Sequence, residues 1–112
     1  MARLIVVVND VDDEGAAVPL RYAATAAALD VEVELHCVGA SVAWLRQSAA
    51  GPALLGQLRD ALEAGARIYA CPQALAANGV SADALAPEVA GIRGAAALLA
   101  AGFAPGARFM NF

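Results

Sequence analysis

The stretch Arg67-Ile68-Tyr69-Ala70-Cys71-Pro72-Gln73-Ala74-Leu75-Ala76-Ala77-Asn78-Gly79 joins a short apolar strand directly to a helical turn. Pro72 marks the joint. Proline is favoured at the first helical position because the amide it lacks has no partner there. It also holds the residue before it extended, which predicts Cys71 at the strand end, in the N-cap position. Asn78-Gly79 supplies the helical stop. Free backbone amides and the helix dipole at such a start favour negative charge. A thiol placed there has a physical reason to ionise, and the thiolate is the reactive form.

The same succession of strand and helix recurs along the chain. Upstream, residues 53–64 form an amphipathic helix with Leu54, Leu55, Leu58, Ala61 and Leu62 on one side and Gln57, Arg59, Asp60 and Glu63 on the other. Gly65 ends it. Before it, Arg46-Gln47-Ser48-Ala49-Ala50-Gly51-Pro52 reads as a loop punctuated by Gly-Pro. Val31-Glu32-Val33-Glu34-Leu35-His36-Cys37-Val38 alternates apolar and polar residues as a half-exposed strand does, and Gly39-Ala40-Ser41-Val42 turns toward a short helix through Trp44 and Leu45. The alanine-rich segment 16–29 is a helix with Pro19 in its first turns. Leu4-Ile5-Val6-Val7-Val8 is an apolar, largely β-branched run, the mark of a central parallel strand. Downstream, Glu88-Val89-Ala90-Gly91-Ile92 is a short fourth strand, 94–101 a helix closed by Gly102, and 107–112 a last strand after Pro105-Gly106. Strands alternating with helices predict one three-layer α/β/α domain over residues 1–112 with a five-stranded parallel sheet.

Composition narrows the function classes. Hydrophobic residues make up 61% of the 112 and charged residues 16%, apolar for a soluble chain. A small domain exposes much of its surface, so the excess points to subunit contacts and a homo-oligomer. Apolar runs are broken by Arg21, Asp30, Glu32, Glu34, Arg46, Arg59, Arg67 and Arg93. None approaches the roughly 18–20 residues of a membrane span. The N-terminus enters a strand-like run at once and does not read as a signal peptide. A cytoplasmic location is expected, and there two cysteines read as thiols rather than a structural bridge. The net charge is −4 and all seven basic residues are arginine. With no basic stripe, nucleic acid is not an expected partner. The lack of lysine removes Schiff-base chemistry and a P-loop.

Functional groups in open parallel sheets gather beyond the carboxyl ends of the strands. The acidic loop Asn9-Asp10-Val11-Asp12-Asp13-Glu14, Cys37 and Cys71 all fall at such ends. The carboxylates are read as helix-capping groups. A receiver-type metal or phospho-acceptor site is rejected, because the third strand ends in Cys71 and no lysine exists. Cys71 is the candidate nucleophile; against that stands the tendency of free cysteine to fill core space. Cys37 is a weaker accessory candidate, as a resolving or sulfur-accepting partner. His36, the only histidine, should point to the face opposite Cys37, as a solvated or packed imidazole rather than a general base. Two cysteines and one histidine at these spacings do not make a zinc site. No dinucleotide fingerprint or nucleophile elbow occurs, so neither metal nor cofactor is expected. Trp44 reads as a packing or interface anchor.

With these residues laid out, the chain resembles the DsrE/DsrF-like (YchN-like, sulfur-relay) family over nearly its whole length. The resemblance covers the first strand with Asn9-Asp10-Val11-Asp12-Asp13, the segment Leu20-Arg21-Tyr22-Ala23, and the 31–38 strand with Gly39-Ala40-Ser41-Val42. Its most specific part runs from Tyr69 to Val80, where the strand-end cysteine precedes Gly79 by eight positions. The resemblance implies strand order 4-3-2-1-5, assembly as a trimer or hexamer, and a persulfide held on Cys71 and passed between donor and acceptor proteins. Pro72 departs from the pattern of the sulfur carriers. Two functions follow as alternatives: a persulfide carrier or sulfurtransferase, and a non-catalytic homo-oligomeric binding module in which Cys71 only packs.

Overall fold

The computed structural model describes residues 2–12, 14–47 and 52–112. Asp13 of the acidic loop and residues 48–51 of the Gly-Pro loop lie outside them. The strands are β1 (Arg3–Val8), β2 (Glu32–Cys37), β3 (Arg67–Ala70), β4 (Gly91–Ile92) and β5 (Ala107–Asn111). The helices are α1 (Ala17–Ala28), α2 (Pro52–Ala64), α3 (Pro72–Ala77) and α4 (Ala95–Gly102). The five strands form one parallel sheet in the order β4-β3-β2-β1-β5, the order the resemblance implied.

The chirality of parallel crossovers distributes the helices. Steps from β1 to β4 move one way across the sheet, so right-handed connections put α1, α2 and α3 on one face. The return from β4 to β5 runs the other way and puts α4 on the second face. Packing follows that assignment. Val6, Val8, Val33, Leu35, Cys37, Ile68 and Ala70 project to the first face, into a core with Leu20 and Ala23 of α1 and Leu54, Leu58 and Ala61 of α2. Ile5, fully buried, lies outside that core, as strand alternation requires. On the second face Gly102 of α4 lies so close to the Phe109 ring of β5 that a Cβ would collide with it.

Each of the three first-face helices ends the same way. Val31, Ala66 and Val80 donate back to Ala26, Ala61 and Leu75, while Asp30, Gly65 and Gly79 donate to Ala27, Leu62 and Ala76. These are Schellman closures, which need a left-handed residue, and Asp30, Gly65 and Gly79 have φ of 62°, 116° and 65°. The repeated stop returns the chain to the sheet in one direction and so keeps the strands parallel.

Three expectations change. The expected fourth strand over 88–92 shrinks to Gly91–Ile92, because Val89 donates to Ala86 in a turn and sheet bonding starts with Ala90 N–H to the Ile68 carbonyl at 2.7 Å. The short helix expected through Trp44 and Leu45 is present, but it is 3₁₀ and already starts in the expected turn, over Gly39–Leu45. Two of the three polar positions of β2 are not half-exposed: Glu34 and His36 are 5% and 2% exposed, and only Glu32 stays part-exposed. Arg93 reaches back from the end of β4 and closes over this part of the second face.

Candidate functional site

Cys71 caps α3 with extended backbone, φ −78° and ψ 127°, and Pro72 takes the first helical position, as a pre-proline residue at a strand-to-helix joint should. Its amide donates to the Cys37 carbonyl at 3.0 Å, continuing the β2–β3 ladder by one residue, and its carbonyl accepts from Leu75 at 3.0 Å. The backbone is held on both sides while the side chain is only half-buried. Sγ donates to Oε1 of Gln73 at 3.3 Å and makes no capping bond to the helix amides. A half-turn of the Gln73 amide presents its N–H₂ instead, so one side chain can meet either a thiol or a thiolate.

α3 is short, six residues, so its position depends on ties at its far end. Asn78 Nδ2 donates to Ala74 at 2.8 Å and to the Gly39 carbonyl at 3.4 Å, anchoring α3 to the start of the 3₁₀ helix. Gly39 sits at φ +61°, and a Cβ there would run into the side chains of Asn9 and Asp10. The acidic loop is thus packed against the turn that follows β2. Two of its carboxylates hold backbone amides: Asp10 Oδ1 accepts from Ala40 at 2.8 Å and Asp12 Oδ1 from Gly15 at 2.7 Å. Ser41, fully buried, donates to the Val8 and Val38 carbonyls at 2.7 and 2.9 Å. Trp44 is an internal anchor, its Nε1 donating to Val11 at 3.1 Å.

Cys37 lies on the first face, fully buried. Burial pushes its thiol up to about 12, against a weaker pull from its contact with Ser41. The backbones of the two cysteines are adjacent and both thiols are free. His36 points to the second face, as alternation predicted, and is packed rather than solvated. Its Nε2 lies 3.0 Å from Glu34 Oε1, which also takes Arg93 NH1 at 3.4 Å. The His36 ring tilts against Tyr69 at 5.2 Å, and the Arg93 guanidinium lies over Tyr69 at 4.0 Å. Burial lowers the pKa of His36, against the Glu34 hydrogen bond and charge that raise it; the Arg93 charge adds to the lowering. The neutral ring then donates from Nε2. Sequence reasoning missed the set of Glu34, His36, Tyr69 and Arg93, because two carboxylates and a histidine at every second position look like a solvent face.

A separate cavity of ≈ 270 Å³ opens between the 3₁₀ helix, α2 and the chain before β4, lined among the described residues by Trp44, Leu58, Ile68 and Val89, among others. Cys71 does not line it, so the cavity and the thiol are different places.

The model of the DsrE/DsrF-like family matches residues 2–111. The chain belongs to the DsrE/DsrF-like family. This DsrE/DsrF-like chain also superposes on three solved structures. A protein of unknown function, MTH1491 from Methanobacterium thermoautotrophicum, is 18% identical with a TM-score of 0.81, and all of both chains is covered. The ychN protein of E. coli is 19% identical, again with a TM-score of 0.81 and full coverage of both. BT1422 of Bacteroides thetaiotaomicron, also of unknown function, is 18% identical with a TM-score of 0.73, covering 98% of this chain and 94% of that one. At such identities the likeness is one of fold. No curated protein sequence matches the chain. Among its described residues no helix is long and apolar enough to cross a membrane.

Proposed function

We propose that this DsrE/DsrF-like protein is a persulfide carrier or sulfurtransferase in which Cys71 is the sulfur-carrying thiol. The observation that supports it best is the placement of Cys71: half-exposed, at the carboxyl edge of a parallel sheet, with its backbone fixed and its sulfur against the Gln73 amide. In the transfer, the Cys71 thiolate attacks the terminal sulfur of a donor persulfide. The donor S–S bond breaks, the donor leaves as a thiolate, and a new S–S bond forms on Cys71. One sulfane sulfur moves with no net oxidation. Cys37, enclosed in the core, is the accessory candidate. Donor and acceptor proteins are the implied partners, and the cytoplasm, where thiols stay reduced, suits the chemistry.

The test is incubation with a persulfide donor followed by intact mass and peptide mapping. The expected product gains the mass of one sulfur atom on the Cys71 peptide, and Cys71→Ser gains none. Equal behaviour of wild type and Cys71→Ser overturns the reading and leaves the binding module.

Assembly belongs to the same proposal. Residues 94–107 carry no charged or polar side chain, yet only Gly102 of α4 is buried, and Leu99 and Phe103 are 44% and 77% exposed. An uncharged helix on an outer layer favours a second copy of the chain over water, in a homotrimer or homohexamer. Light scattering across a dilution series is expected to give a constant oligomeric mass. A monomer throughout would refute the assembly.

A further inference from the structure

Arg93 makes three contacts around the end of β3, none of them with Cys71 itself. Its amide donates to the carbonyl of Ala70, the residue before the cysteine, at 3.0 Å. Its guanidinium crosses β3 over the Tyr69 ring at 4.0 Å and ends 3.4 Å from Glu34 Oε1 on β2. The next residue, Gly94, stands against the start of α3: a Cβ there would meet Pro72 Cγ at 3.7 Å and Gln73 Oε1 at 3.9 Å. That oxygen is the atom that meets the Cys71 sulfur.

The strand that Arg93 terminates cannot hold this arrangement unaided. β4 has two residues and lies at the edge of the sheet, and an edge strand so short has little ladder to keep it in register. The anchor comes from the other end of the side chain. Glu34 is buried, and its Oε1 is already fixed by His36 at 3.0 Å, so the guanidinium is drawn to an immobile partner. Stacking on Tyr69 adds a cation–π contact. The planar guanidinium can lie flat on the ring while its edge faces the carboxylate.

We propose that Arg93 is a positioning residue for Cys71, clamping the β4 edge across β3 so that Gly94 and Gln73 form a fixed wall beside the sulfur. The proposal rests on the reading of Cys71 as the sulfur-carrying thiol, and its test separates the two. Two rates are measured on the intact protein: alkylation of Cys71 by iodoacetamide, located by peptide mapping, and uptake of sulfur from a persulfide donor. In Arg93→Ala the wall loosens. Sulfur uptake falls by roughly tenfold, since modest misplacement of reacting groups carries costs of this order, and alkylation rises because the small reagent reaches the less enclosed sulfur more often. Arg93→Lys, which keeps a cation over Tyr69 but not the planar edge toward Glu34, recovers part of both rates. Arg108→Ala, which removes an equal charge at the opposite sheet edge, changes neither. The Gln73 side-chain amide signals in an NMR spectrum move in Arg93→Ala and come part of the way back in Arg93→Lys. If Arg93→Ala does not fold, Glu34→Gln, which removes the anchoring charge and leaves the arginine, must show smaller shifts in the same directions.

Unchanged rates in a folded Arg93→Ala, or faster alkylation with unchanged sulfur uptake, overturn the proposal. A wild type that takes up no sulfur defeats the carrier reading. The clamp is then judged by alkylation and the Gln73 signals, which need no sulfur donor.

Discussion

Leu35→Ala is expected to lower stability by about 2–5 kcal/mol, in the upper part of that range. Leu35 is fully buried in β2 and stands in register between Val6 of β1 and Ile68 of β3. Both neighbours are themselves held in the ladder, so the space left by the lost side chain cannot close by collapse. Leu35→Met nearly conserves volume and should cost less than about 1.5 kcal/mol. Urea unfolding at a single protein concentration measures both, with the m-value showing that the same surface is exposed. A loss below about 1 kcal/mol for the alanine variant would be too small for a well-packed core leucine. The variant should also change the thiol site. β2 carries the Cys37 carbonyl that holds the Cys71 amide, and a loosened β2 frees the strand end that presents the sulfur.

Glu34→Ala is the second large effect, expected at about 1–3 kcal/mol. The substitution takes the acceptor from two donors at once, His36 Nε2 and Arg93 NH1. His36 is left buried without that partner, while Arg93, 41% exposed along its side chain, can turn to water. Glu34→Gln keeps an acceptor oxygen and should cost less. The same cluster makes stability depend on pH, with a sign that can be worked out. His36 is lowered in the folded state, mainly by burial, whereas in the unfolded chain it titrates near its ordinary value of about 6.5. Between those values the unfolded chain binds the extra proton, so stability rises with pH there. The contribution is fully present above about pH 6.5 and is lost as pH falls through the lowered folded value. Urea midpoints measured from neutral pH downward should fall more steeply for wild type than for His36→Gln. Parallel curves would show that His36 titrates alike in both states.

The parts of the fold that were legible share one property: their signals are local. Pro72 after Cys71 specified both the extended cap and the helix start, and the structure has both. Gly65 and Gly79 marked helix stops, and both close Schellman motifs. Five strands separated by helices specified a parallel sheet, since hairpins have no room for the intervening helices. One error is local and the other is not. Val89 and Ile92 look strand-like and suggest a longer β4, but Val89 bonds in a turn to Ala86. The alternation of β2 suggests a half-exposed strand, and there the deciding partners are distant in sequence. That pattern reports only that its two faces differ, and says nothing of what covers the polar one.

The α/β class and the place of Cys71 at a strand end were legible from φ preferences, helix stops and apolar runs, which neighbouring residues set among themselves. The family resemblance added the strand order, and with it the neighbourhood of the Cys71 and Cys37 strands. The environment of that cysteine is a matter of tertiary structure alone. Gln73 was in view two residues away, but the wall behind it is Gly94, and the clamp that holds Gly94 runs from Arg93 over Tyr69 to Glu34. Glu34 and Tyr69 come from β2 and β3, Arg93 and Gly94 from the link after β4, and the crossover that brings β4 to the sheet edge puts them together. An ion pair whose partners are 59 positions apart in sequence leaves no local trace, because a charge on a strand is equally favourable in water until the fold supplies its counterpart.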